Sequence, residues 1–91
     1  MFPFARYEIE GESMIPAYQP GDRVLVFRWG TVKSGDTVIF CKNGMTMVKR
    51  AVAKEGDRWI MKGDNWKRSC DSEDFGGVAD EEIIGKVVAT Y

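Results

Sequence analysis

Residues 37–62 read "TVIFCKNGMTMVKRAVAKEGDRWIMK", three runs rich in β-branched, aromatic and methionine side chains separated by two short polar breaks. The first break centres on Asn43-Gly44. Asn-Gly is favoured in the type I′ turn, which needs φ > 0 at both central residues and joins two antiparallel strands. Thr37–Cys41 and Thr46–Lys54 therefore read as a hairpin. The second break ends in Gly56-Asp57 and leads into a third strand, Arg58–Lys62.

Working outward, the same punctuation recurs. Gly-Asp occurs four times, at Gly21-Asp22, Gly35-Asp36, Gly56-Asp57 and Gly63-Asp64, and such pairs separate short strands. Tyr7–Glu10, Arg23–Arg28 and Ile83–Thr90 complete the set of predicted strands. No sustained helical period is present, and "DEEII" at residues 80–84 has room for one turn. Many short strands and no helix predict an all-β fold, a small, mostly closed barrel of antiparallel strands that leaves few exposed edges. At 91 residues the chain is read as one domain, residues 1–91.

Composition excludes several functions. Thirteen basic and fourteen acidic residues give a formal charge of −1, interspersed, with no basic stripe for nucleic acid and no polybasic patch for anionic lipid. There is no histidine, and the two cysteines, Cys41 and Cys70, form no CxxC pair. A structural zinc site needs four Cys or His ligands, so neither a metal nor another cofactor is expected. The cysteines read as free thiols of a cytosolic protein, with a single disulfide as the alternative. No apolar run approaches the roughly 20 residues that span a bilayer. The opening "MFPFARYEIE" lacks the basic start and apolar stretch of a signal peptide. A soluble, cytoplasmic protein is expected.

Without histidine, Ser-His-Asp and Cys-His catalysis are impossible, and any attacking serine must use a lysine or a carboxylate as its base. Lys49 lies within "MTMVKRAVA". Strand alternation puts it on one face with Met45, Met47, Ala51 and Ala53, the less polar face, while Thr46, Val48, Arg50 and Val52 take the other. A bulge in the strand would exchange those faces. Full burial lowers a lysine pKa by about 3 to 5 units from roughly 10.4, at a desolvation cost of roughly 4 to 7 kcal/mol. The ordinary alternative is a lysine whose stem packs while its ammonium reaches water. Ser13, in "GESMIPAYQPGD" at residues 11–22, has two readings as well. It is either a turn residue or a hydroxyl presented beside Met14, Ile15 and Pro16.

Several blocks in order, "GESMIP", "GDRVLVF", "SGDTVIF", "VKRAVAKEGD", "GDNWKRSCDSEDFGGV" and "IIGKVV", resemble the signal peptidase I family of serine-lysine peptidases. The catalytic domain of that family is related to that of the LexA-type self-cleaving repressors. The likeness runs from about Glu10 to Val88. It implies that Ser13 is the nucleophile, Lys49 its general base, and Ser69 a hydroxyl that orients the lysine amine. It further implies that the Ser13 backbone N–H contributes to an oxyanion hole, and that Met14, Ile15 and Pro16 shape a groove for an extended peptide. Asp64 and Asp71 are expected to organise the "GDNWKRSCDSEDFGGV" loop through local hydrogen bonds. The sequence departs from the family at Gly11, where many relatives carry a hydroxyl, at Glu73, where arginine is common, and at Pro16–Tyr18.

A form of this size without an anchor resembles the small soluble nickel-type superoxide dismutase maturation proteases, which implies removal of an N-terminal extension from a nickel superoxide dismutase precursor. The expected partner is thus a precursor protein or peptide, with no nucleic acid and no stable membrane insertion. Two other functions fit the same sequence: a catalytically silent β-barrel that binds peptides, and a membrane-surface signal peptidase that docks through Phe2, Phe4 or Trp29.

Overall fold

The computed structural model describes residues 3–65 and 75–91. Seven strands form one antiparallel sheet: β1 (Phe4–Glu8), β2 (Arg23–Phe27), β3 (Thr37–Lys42), β4 (Met45–Glu55), β5 (Arg58–Lys62), β6 (Val78–Ala79) and β7 (Ile83–Thr90). A 3-10 turn at Asp80–Glu82 supplies the single helical turn that "DEEII" allowed. The spatial order is β1-β2-β7-β3-β4-β5-β6. The all-β expectation holds, but the sheet is not closed. Among the described residues β1 and β6 stand at opposite ends with no ladder between them.

The hairpin between β3 and β4 forms as the Asn-Gly pair requires, with Asn43 at φ 53° and Gly44 at φ 78° and Lys42 facing Met45. β1 begins earlier than its sequence pattern suggests. Its ladder with β2 runs from Phe4↔Phe27 to Glu8↔Arg23, and the Phe4 and Phe27 rings lie 5.2 Å apart. The two-residue β6 has no pattern of its own and exists by pairing with Arg58 and Trp59.

β3 is buried on both faces. Val38 and Phe40 enter one apolar cluster with Ala51, Trp59, Met61 and Val78, whereas Ile39 enters a second with Ile9, Val24 and Val26. Cross-strand partners share a face, so Lys49, opposite Val38, and Met47, opposite Phe40, lie on the side of the first cluster. A bulge then interrupts the β4–β5 ladder between Ala51↔Met61 and Ala53↔Ile60. The extra residue, Val52, shifts the phase of the strand. Lys49, Met47 and Ala51 keep the shared face that alternation predicts, but Ala53 leaves it and is exposed, while Lys54 lies over the Trp59 ring at 5.9 Å.

Candidate active site

β4 has two neighbours for only part of its length. β5 joins it from Arg50 onward, so Met45–Val48 has β3 beside it on one side and no described strand on the other. β1, at the end of the sheet, likewise pairs only with β2. Residues from both of these edges line one groove of about 750 Å³. Arg6 to Gly11 and Met45 to Lys49 line it, together with Ile39 and Ser13.

The structure therefore brings Ser13 and Lys49 to the same groove. Ser13 is half-buried at the start of the turn over residues 13–17, and Lys49 is 6% exposed, one of two polar or charged residues in the described core. Burial disfavours the charged form of an amine. The turn is built by its own backbone: Ile15 N–H donates to Glu12 O at 3.3 Å and Tyr18 N–H to Met14 O at 2.9 Å.

Met14, Ile15 and Pro16 do not line the groove. Met14 is fully buried and packs inward beneath the turn, and Pro16 is exposed. The apolar wall comes instead from Tyr7, Ile9, Ile39, Met45, Met47 and Val48. Ser69, with Cys70, Asp71 and Glu73, lies outside the described residues.

Asp64 acts over a longer range than a loop-internal cap. Its carboxylate accepts from Arg50 Nε at 2.8 Å and from Arg50 Nη2 at 2.7 Å, and Arg50 Nη1 donates to Gly35 O at 2.7 Å. The hydrogen bond to Asp64 raises the Arg50 pKa further above its already high value, against an opposing effect of burial. The next residue reaches the serine turn: Asn65 N–H donates to Ser13 O at 2.8 Å, and Asn65 Nδ2 donates to Glu12 O at 3.0 Å. On the far side of residues 66–74, the Phe75 ring lies 5.7 Å from that of Phe40, and Lys42 Nζ donates to Gly77 O at 2.9 Å and to Glu82 at 3.2 Å. Glu82 also accepts from Ala79 N–H at 2.9 Å. That backbone bond, followed by Lys42, holds its carboxyl below the usual range.

Sequence reasoning named Ser13 and Lys49, which the structure brings to one groove, but did not name the contacts of Asn65, the Arg50–Asp64 pair or the two strand edges. Asn65 carries no local signal, because its partners Glu12 O and Ser13 O lie far away in the chain. Nothing local identifies the edges, which follow from the strand order.

Among the described residues no group of three or more His, Cys, Asp or Glu is placed to hold a metal ion, and no helix is long and apolar enough to cross a membrane. The chain belongs to the Peptidase S24-like family, whose model matches residues 4–88. That membership supports a peptidase acting on a protein substrate. Comparison with curated proteins returned no significant match.

Proposed function

We propose that this chain is a serine endopeptidase with a Ser13-Lys49 dyad, which removes an extended N-terminal segment from a precursor protein. The observation that carries the reading is the placement of a serine hydroxyl and a buried lysine in one groove lined by two strand edges. An extended peptide in such a groove gains main-chain hydrogen bonds from the edges, and pockets for alternate side chains select its sequence. Tyr7, Ile9, Met47 and Val48 would furnish those pockets.

Ser13 Oγ attacks the scissile carbonyl carbon while Lys49 Nζ, acting as general base, takes the hydroxyl proton. The oxyanion is met by the Ser13 N–H, since Gly11 offers no side-chain hydroxyl. Collapse of the tetrahedral species breaks the C–N bond, and Lys49 returns the proton to the leaving amine. Water, activated by the same amine, then releases the acyl group from Ser13. Ser69 would hydrogen-bond the amine and keep it aimed. A nickel superoxide dismutase precursor is the first protein to try as substrate, and the signal peptidase I type is the mechanistic class.

The experiment incubates a synthetic extended-peptide library and that precursor with wild type, Ser13→Ala and Lys49→Met, and reads new N-termini by mass spectrometry. Wild type should generate a defined new N-terminus, and neither variant should. Cleavage by Ser13→Ala at the wild-type rate would refute the dyad, and peptides bound but never cut by wild type would make the groove a binding module.

A further inference from the structure

The Glu12–Ser13 peptide is held at its carbonyl. Asn65 Nδ2 donates to Glu12 O at 3.0 Å, and because a carbonyl only accepts, the nitrogen end of the amide is the end that faces it. The second donor to that oxygen, Ile15 N–H at 3.3 Å, is longer. Asn65 grips the next peptide as well, its own N–H donating to Ser13 O at 2.8 Å. One residue thereby fixes the planes of the peptides on both sides of the Ser13 Cα.

In a trans peptide the C=O and the N–H point in opposite directions and share one rigid plane. The one cis bond among the described residues is Ile15-Pro16, so the Glu12–Ser13 bond is trans. Anchoring Glu12 O toward Asn65 therefore turns the Ser13 N–H away from Asn65 and fixes its direction. Hydrogen bonding at the carbonyl also polarises the N–H at the other end of the same unit.

We infer that Asn65 is a positioning residue that aims the Ser13 N–H at the oxyanion, acting through the Glu12–Ser13 peptide. This rests on the reading of Ser13 as the nucleophile. The role matters more in this chain because Gly11 leaves the backbone N–H without help from a side-chain hydroxyl two positions before Ser13. A preorganised donor works only where the oxyanion forms, and outright removal of one typically costs about 10²- to 10³-fold in kcat.

The test uses Asn65→Ala and Asn65→Asp with an internally quenched peptide that wild type is known to cut, and Ser13→Ala as the control. Both substitutions keep the backbone bond to Ser13 O, and Asn65→Asp keeps the side-chain size while presenting an acceptor to Glu12 O. Each should lower kcat by roughly 10- to 100-fold, less than full loss of a donor, with KM within about twofold and an unmoved acid limb of the pH–kcat profile. The Ser13 amide resonance, followed by ¹⁵N–¹H NMR below the melting temperature of each variant, should shift, since its peptide has lost a bond. A raised KM at unchanged kcat would make Asn65 a substrate contact, and a moved acid limb would place its effect on the base. Either result, an unchanged kcat, or an unshifted Ser13 amide overturns the inference. Full activity in Ser13→Ala would instead remove the nucleophile assignment on which it stands.

Discussion

Replacing Asp64 by asparagine keeps the outline of the Arg50 bridge and removes its charge. The two N–H···O bonds, at 2.8 and 2.7 Å, become one, and the amide NH₂ is turned against a guanidinium that has donors only. The Arg50 and Asp64 side chains are 35% and 19% exposed, between the exposed pairs worth about 0.2–1 kcal/mol and charged hydrogen bonds worth about 1.5–3 kcal/mol. A loss of about 1–2 kcal/mol follows, from a total near 5–14 kcal/mol for a chain of this length. The melting temperature should fall by about 5–15 °C. Arg50→Met should cost more than Asp64→Asn, because it also releases Gly35 O, which receives Arg50 Nη1 at 2.7 Å. The assay is a thermal and urea double-mutant cycle in low and high salt, with a coupling of about 1 kcal/mol or more expected between the two positions. Additivity within about 0.3–0.5 kcal/mol would show that the bridge contributes nothing as a pair. A cost that disappears in 1 M salt would show that it behaves as a screened surface contact.

Two other predictions concern the frame of the sheet. Glu82 has a folded pKa below its unfolded value of about 4.3, so its contribution is fully present above that unfolded value. It is lost as pH falls through the lower folded value. Glu82→Gln should therefore flatten the acid side of the stability curve measured by urea unfolding between neutral pH and pH 3, and a variant curve parallel to wild type would contradict this. Gly85→Ala places a Cβ 2.6 Å from Val26 Cγ1 and 2.7 Å from Phe27 O, where β7 crosses the end of β2. It should destabilise by about 1–3 kcal/mol, and an unchanged melting temperature would mean that β7 has room to move.

Much of the sheet was legible because its signals are local. Asn43-Gly44 fixes a hairpin by its own dihedrals, and the Gly-Asp pairs mark strand ends wherever they occur. β6 was not legible, since two residues carry no period and Val78–Ala79 is a strand only through Arg58 and Trp59. Val52 shows the same limit: a bulge is a property of two strands in register, so Ala53 could not be placed from β4 alone. In the site, Ser13 and Lys49 stood out through residue type and resemblance. Asn65 did not, because its side-chain partner, Glu12 O, is 53 positions away in the chain. The burial of Met14 was not legible, because an apolar residue beside an exposed turn can face either way, and only packing decides.

The two strand edges that line the groove bear on solubility. A free sheet edge is a template for another chain, and each strand added there exposes a new edge for the next. A strand that paired with both β1 and Met45–Val48 would have a partner on each side and would leave no fresh edge behind it. Addition at such a position would end after one strand, so an extended guest held there would not seed a growing stack of copies.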